Sequence, residues 1–242
     1  DVDKADISHI LQVLRDEVNQ TIVAADAKAT PTGATAVAEE RLFDISKIDF
    51  AKLLTEFKRS PRKQTTVQSL KAAIESRLAK LLAMNPARKN YQERYEEIVA
   101  EYNREVDRAT IEATFQQLLL LSQGLSEEEQ RAVELGLDEE TLALFDLLRK
   151  PDLDKHGIEK LKGVSKSLLA TLKARLAEID DWQATPGNRD AVRVTIHDFL
   201  YDDKTGLPVD LYDERDVDST TDLVFQHVWR AYPTVPSPLY AN

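Results

Sequence analysis

Residues 124–148 read GLSEEEQRAVELGLDEETLALFDLL, and the phrase Gly-Leu-(Ser/Asp)-Glu-Glu occurs in them twice, twelve positions apart. The glycine that opens each phrase can close one helix in the left-handed conformation, and the Ser or Asp that follows can cap the next helix. Ser126 and Glu129 also have the spacing of a capping box. The stretch therefore predicts two short helices with tight corners at Gly124 and Gly136, which is an architectural feature and not a catalytic one.

Apolar residues at helical spacing predict helices on both sides of this stretch. One segment is ambiguous, because AVRVTIHDFL (residues 191–200) fits strand alternation as well as helical spacing. Thr185 followed by Pro186 resembles an N-cap with proline at the first helical position, and this favours a helix. The predicted stripes lie in residues 7–23, 67–82, 91–119, 158–179, 192–200 and 220–232.

We expect an all-α fold, an irregular helical bundle with one long central helix and short capped helices. The long helix is predicted to open near Asn90, and if it is continuous to Leu121 its length is about 45 Å at ~1.5 Å per residue. Residues 27–39 are small, polar and interrupted by Pro and Gly, which indicates a connection. The predicted domains are residues 1–46 (an N-terminal helix and connection), 47–121 (a helical domain) and 122–242 (a C-terminal helical domain).

Composition excludes several functional classes. The 242 residues contain no Cys, which removes disulfides, thiol nucleophiles and Cys-ligated metal sites. No apolar run approaches the roughly 20 residues of a membrane span, and no signal segment is visible, so we expect a cytoplasmic protein without a membrane partner. The chain begins with Asp1 instead of Met, which is compatible with a piece of a longer protein.

The net charge of −11 is unevenly distributed. Twelve Lys or Arg and four Asp or Glu lie between Lys47 and Arg94, so this segment carries +8 and the remainder −19. A solvated helix face would explain the excess, and so would a surface that contacts phosphates. The residues predicted to contact DNA or RNA lie at two helix ends: Lys58, Arg59, Arg62, Lys63, Arg88 and Lys89.

Three motifs offer candidate chemistry. Asp203-Lys204-Thr205-Gly206 matches the phosphorylated loop of P-type ATPases in four letters, but an Asp-x-x-Gly turn explains it without a nucleotide domain. His197-Asp198, with His156 upstream, has the letters of a helical metal-dependent phosphohydrolase, although a surface His is the commoner interpretation. The acid clusters at residues 127–129 and 213–218 could hold magnesium, but the helix macrodipole already explains Glu in a first turn.

Four separated segments resemble, in the right order, the C-terminal part of the motor (R) subunit of type I restriction enzymes. The resemblance covers residues from about 42 to 232 and rests on IDFAKLLTEFKRSPRKQTTVQSLKAAIESRLAKLLAMNPARKNYQERYEEIVAEYN, LSQGLSEEEQRAVELGLDEETLALFDLL, DWQATPGNRDAVRVTIHDFL and VFQHVWRAY. In that family the R subunit carries a nuclease domain, two ATPase domains that translocate double-stranded DNA, a helical domain and a C-terminal domain.

The resemblance implies that residues 47–121 support duplex DNA behind the motor and that the remainder takes part in assembly with the methyltransferase core. The nuclease and ATPase motifs of the family lie in parts that this chain lacks. The resemblance therefore implies no catalytic residue, metal or cofactor in this fragment, with ATP and magnesium belonging to the full-length, ATP-dependent deoxyribonuclease. A purely protein-binding module is an alternative, with a contact surface that includes Phe225, Trp229 and Tyr232.

Overall fold

A computed structural model describes residues 57–58, 63–104 and 107–240. These residues form α-helices joined by turns and contain no strand, so the all-α prediction is confirmed for this part of the chain. A short 3-10 helix (Pro86–Arg88) separates the first two α-helices. The α-helices are α1 (Lys63–Met84), α2 (Lys89–Arg104), α3 (Arg108–Leu135), α4 (Glu139–Leu148), α5 (Lys155–Ala177), α6 (Pro186–Tyr201) and α7 (Glu214–Ala231).

Contacts divide the described chain into two units. The first contains residues 57–58, 63–79, 90–104 and 107–129, and the second contains residues 80–89 and 130–240. Helices α1 and α3 therefore contribute residues to both units. The predicted helix at 7–23, the connection at 27–39 and the whole predicted domain 1–46 lie outside the described residues, and the predicted domain boundaries stay predictions.

The first unit buries apolar residues of α1, α2 and α3. The part of the α1 stripe that belongs to this unit is buried from Val67 through Leu78 at helical spacing. Phe57 stacks on Phe115 of α3 with ring centroids 3.7 Å apart. The hydroxyl of Tyr95 in α2 donates a hydrogen bond to Glu75 Oε1 at 2.5 Å. The sequence pattern therefore identified the buried faces of this unit correctly.

The predicted long helix is not continuous from Asn90 to Leu121. Helix α2 ends at Arg104, and α3 begins at Arg108. Asp107 accepts a hydrogen bond from the backbone N–H of Thr110 at 2.7 Å, as a helix-capping side chain does. This hydrogen bond is the main cause of the lowered pKa of Asp107. The break therefore has a capping residue that the apolar pattern did not reveal.

The predicted corner at Gly124 is also wrong, because α3 continues through it to Leu135. Ser126 does not cap a helix: its hydroxyl donates back to Ser122 O at 3.1 Å and accepts from Arg77 Nη2 at 2.6 Å. Leu125 beside it is fully buried. Burial of this turn of the helix outweighs the roughly 1 kcal/mol that a glycine costs inside a helix. The acids at 127–129 consequently lie within a helix and not in a first turn.

The second corner forms as predicted. Gly136 has φ +66, the left-handed region that favours glycine. Its N–H donates to Val133 O at 3.0 Å, and the N–H of Leu137 donates to Ala132 O at 2.9 Å, the two hydrogen bonds of a Schellman motif. Asp138 then caps α4 by accepting from Thr141 N at 2.7 Å. One of the two repeated phrases therefore makes the predicted corner.

The second unit is built around α4, whose residues Leu142 to Phe145 are all buried. Helices α5 and α6 bury the stripes predicted for them, and Thr185 caps α6 as predicted, so residues 191–200 are helical. Helix α7 begins at Glu214, earlier than the predicted Thr220, because Asp213 and Asp216 form a capping box. No helix of the described residues combines the length and the apolar composition needed to cross a membrane.

Candidate nucleic-acid and partner interfaces

The predicted basic turn before α1 is described only at its two ends. Lys58 is exposed, whereas Arg59 and Arg62 lie outside the described residues. Lys63 forms an ion pair with Glu112 of α3, and its ammonium group lies 5.8 Å from the centre of the Phe57 ring. The hydrogen bonds from Lys63 and then Arg108 lower the pKa of Glu112. Lys63 is therefore engaged inside the first unit, and Lys58 is the described member of this group that is exposed.

The second predicted basic group, Arg88 and Lys89, belongs to the second unit. It also has one exposed member and one that is used inside the unit. Lys89 is exposed at the start of α2, but Arg88 is buried. Arg88 Nη2 lies 3.0 Å from Glu139 Oε2, so its charge is used between the 3-10 helix and α4. Nucleic-acid contact by the six residues stays a prediction, and the structure leaves Lys58 and Lys89 as their exposed described members.

The buried carboxylate of Asp146, which sequence analysis missed, holds the N-terminal end of the 3-10 helix in place. Asp146 of α4 accepts two hydrogen bonds from the guanidinium of Arg131, and the one from Nη1 measures 2.9 Å. Asp146 also accepts a hydrogen bond from Asn85 Nδ2 at 2.7 Å. Asn85 caps the 3-10 helix by accepting from Ala87 N at 3.1 Å. The three partners are distant in sequence, so no local spacing could have revealed them.

The three predicted partner-binding aromatics have different environments. Tyr232 is buried, and its hydroxyl donates to Glu140 Oε1 at 3.0 Å. Burial, and then the charge of Glu140, raise the pKa of Tyr232 well above its usual range. Phe225 is partly buried, while Trp229 is 37% exposed. Trp229 is therefore the member of this group most available to a partner.

Trp182 holds this aromatic group in place. Its ring packs edge-on against Phe225 and Trp229, with centroid distances of 6.1 and 5.5 Å. Its Nε1 donates to the backbone oxygen of Tyr232 at 2.7 Å. The guanidinium of Arg189 lies 5.7 Å from the Trp229 ring, a cation–π distance. The exposed edge of Trp229 is thus a rigid surface feature, since its neighbours fix its orientation.

The residues of the alternative phosphohydrolase reading do not converge on a metal site. His197 is half-exposed on α6, with Nδ1 3.5 Å from Asp198 and Nε2 3.5 Å from Asp218. Its ring stacks on Tyr201 at a centroid distance of 5.8 Å, and the exposed His156 lies in the first turn of α5. Among the described residues, no group of three or more His, Asp or Glu is arranged to hold a metal ion.

The other two motifs have structural roles. In the DKTG segment the turn is made by the preceding Asp202, which accepts from the N–H groups of Lys204 and Thr205 at 2.9 and 2.8 Å. Those hydrogen bonds lower the pKa of Asp202. A side chain on Gly206 would meet the carbonyl oxygen of Leu200 at 2.4 Å, which explains the glycine. Of the acids at 213–218, Asp213 and Asp216 cap α7 and Asp216 also pairs with Lys150, so these two carboxylates serve the helix end.

Comparison with known proteins identifies the family. The family described as type I restriction enzyme HindI endonuclease subunit-like, C-terminal, matches residues 7–230. The chain belongs to this family. A relative named as the type I restriction enzyme MjaIXP endonuclease subunit, from Methanocaldococcus jannaschii, is 27% identical over 168 residues. Those residues are 67% of this chain and 14% of that relative, and no solved structure matches.

The chain is thus a C-terminal region of a type I restriction enzyme endonuclease subunit, which confirms the resemblance seen in the sequence. In this family member, the exposed candidates for contact with other molecules are Lys58 in the first unit and Lys89 and Trp229 in the second. The buried candidates, Arg88 and Tyr232, stabilise the second unit from within.

Proposed function

We propose that this chain is a non-catalytic, cytoplasmic segment of the endonuclease subunit that assists assembly with the methyltransferase core and contacts translocating double-stranded DNA. The observation that carries this proposal is the family match over residues 7–230, which covers the described first unit and most of the second. ATP and magnesium would be bound by other parts of the full-length subunit, so we expect no ATP hydrolysis by this chain alone.

The DNA contact in this proposal rests on the predicted basic turn at residues 58–63, before α1. Lys58 is exposed, and Arg59 and Arg62 follow it in sequence, so up to three cations could meet neighbouring phosphates. Lys63 is excluded from the contact because it pairs with Glu112. Binding of this kind would be independent of base sequence and would weaken with salt, since it releases counterions from the duplex.

The test is titration of a fluorescent random-sequence duplex of about 30 base pairs, at roughly 50 and 200 mM salt. The variant Lys58→Glu, Arg59→Glu, Arg62→Glu removes the proposed cations and leaves the Lys63–Glu112 ion pair intact. A control with Lys204, Arg215 and Arg230 changed to Glu has the same net charge. We expect weaker binding in the first variant than in the control, and equal affinities would remove the basic turn from the proposal.

A purely protein-binding module is the second candidate, because Trp229 is exposed while its neighbours fix its orientation. Rigid, partly exposed aromatics are common anchors of protein interfaces. Capture of the methyltransferase core by the wild-type chain and its loss in Trp229→Ala, in a chain that does not bind duplex DNA, would favour this candidate. Leu223→Ala is the matched control, because Leu223 is also an exposed apolar residue of α7.

A further inference from the structure

Helix α5 is a basic element in an otherwise acidic unit. It contains six Lys or Arg and one acid, Glu159, whereas the chain as a whole has a net charge of −11. Clustering of one sign of charge on one helix produces a local field that the net charge of the protein does not describe. The helix is therefore a candidate surface for a polyanion.

Three of these cations are available at the surface. Lys155, Lys160 and Lys166 are exposed, and none of them forms an ion pair with another residue in the described part of the chain. Lys166 makes one long hydrogen bond, 3.4 Å from Nζ to Gly136 O. By contrast, Lys162 pairs with Glu159 and Lys173 pairs with Glu140. The positive charge that remains for an outside partner is thus carried by the first three.

The exposed stripe between these lysines consists of small side chains, except for the exposed Glu159 at its N-terminal end, which pairs with Lys162. Gly163, Ser167, Ala170 and Ala174 recur at intervals of three and four residues, so they share one face of α5, and all are exposed. At about 100° per residue, Lys160 lies on one side of this stripe and Lys155 and Lys166 lie on the other.

Internal packing does not account for the glycine in this stripe. A Cβ added to Gly163 would meet no atom within 4 Å, and its φ is not in the left-handed region. A glycine weakens a helix, and Ala would fit here. Gly163 and its small neighbours form a smooth stripe on the exposed face of α5, and another molecule can approach this stripe closely.

We propose that the exposed face of α5 is a second contact surface for double-stranded DNA, separate from the basic turn before α1. This inference rests on the proposed function, which supplies the duplex as the partner. Lys155 and Lys166 are eleven residues apart, about 16 Å along the helix, which matches roughly five phosphate intervals of one strand. The small residues allow the phosphate backbone to approach the helix while the lysines on both sides contact the phosphates.

The experiment compares duplex binding by three versions of the whole chain over a series of salt concentrations. They are the wild type, the variant Lys155→Gln, Lys160→Gln, Lys166→Gln, and a charge-matched control with Gln at Lys204, Arg215 and Arg230. Each phosphate contact contributes about 0.9 to the slope of log K against log salt, so the α5 variant should lose between about 2 and 3 from the slope. The control should lose less than about 1.

A single substitution provides an independent check that leaves every lysine in place. Ala170→Glu puts one carboxylate in the centre of the smooth stripe, and it should weaken duplex binding several-fold, with the helical circular dichroism signal unchanged. Val194→Glu, at an exposed position of α6, is its control. Equal affinities of these two variants would contradict the proposal.

The outcomes separate this inference from the function on which it rests. Loss of binding in the α5 variant, beyond that in the control, supports it. Normal binding in the α5 variant together with loss in the Lys58–Arg62 variant overturns the α5 surface and leaves the proposed function standing. No duplex binding by the wild type overturns both DNA contacts. Normal DNA binding by the α5 variant with lost capture of the methyltransferase core would assign the face to a protein partner and overturn the inference.

Discussion

Replacing Asp146 with Ala should destabilise the second unit strongly. The Asp146 side chain is 7% exposed and neutralises Arg131, whose side chain is 26% exposed. It also accepts from the amide of Asn85, which is fully buried. The substitution removes the carboxylate that contacts both the Arg131 guanidinium and the buried Asn85 amide. Both groups then lose this partner or bind water in its place.

The magnitude follows from these two losses. Removing one member of a buried ion pair costs roughly 3–5 kcal/mol, and leaving a buried amide unsatisfied costs roughly 1–3 kcal/mol. Arg131 keeps a quarter of its side chain exposed, so water rehydrates it in part. We therefore expect a loss of about 3 kcal/mol in the free energy of unfolding, below the roughly 4–8 kcal/mol that the two losses would give together.

Urea denaturation followed by circular dichroism measures this loss as a lower midpoint at an unchanged m-value. Asp203→Ala is the control, because Asp203 is an exposed residue of a turn and should change stability by less than about 0.5 kcal/mol. The double variant Arg131→Met, Asp146→Leu should recover most of the loss, because it removes the charge together with its partner. A loss below about 1 kcal/mol in Asp146→Ala would refute the assigned role.

Two glycines and one histidine give further predictions. Gly206→Ala should destabilise the fold by at least about 2 kcal/mol, because the new Cβ would lie 2.4 Å from the Leu200 carbonyl oxygen. Gly163→Ala should stabilise it by about 0.5–1 kcal/mol, because the Cβ meets open space within a helix. Burial, and then the nearby Arg230 charge, lower the pKa of His227 from 6.5 to about 4, so stability should fall as pH drops through that interval.

The direction of the His227 effect comes from proton binding. Between its two pKa values the unfolded chain binds the proton and the folded chain does not, so acid favours unfolding. His227→Gln should flatten this part of the pH–stability curve, whereas His197→Gln, at a half-exposed position, is the control. An unchanged slope in His227→Gln, a tolerated Ala at Gly206 or a destabilising Ala at Gly163 would each contradict the corresponding assignment.

The elements that the sequence predicted are those decided by local patterns. The corner at Gly136 and Asp138 depends on atoms within a few residues, and the cap at Thr185 is equally local. The apolar stripe of α5 likewise predicts its own buried face, because helical spacing alone puts these residues on one side. Features of this kind can be predicted without knowing what the helix packs against.

The elements that the sequence missed depend on residues that are distant in the chain, or on tertiary contacts that compete with a local helix-end signal. Gly124 has the same local phrase as Gly136, but burial of Leu125 and the hydrogen bond from Arg77 keep α3 helical through it. Two locally equivalent signals therefore have opposite outcomes, and tertiary contacts decide between them. The break at Asp107 was missed for the converse reason, since the apolar stripe continues on both sides of it.

The same distinction governs which basic residues can serve as a binding surface. In the segment from Lys47 to Arg94, which has the positive excess, two of the six predicted DNA contacts form ion pairs within the protein. Lys63 pairs with Glu112, and Arg88 pairs with Glu139. Each of these acids lies about 50 positions away in the chain, so a charge count along the sequence overestimates the cations that face outward. Helix α5 lies outside that segment, in the part of the chain with a net negative charge. A charge count along the sequence therefore does not reveal its three exposed lysines. A polyanion responds to the charge that folding leaves exposed, and on this criterion α5 is at least as strong a candidate surface as the described part of the turn before α1.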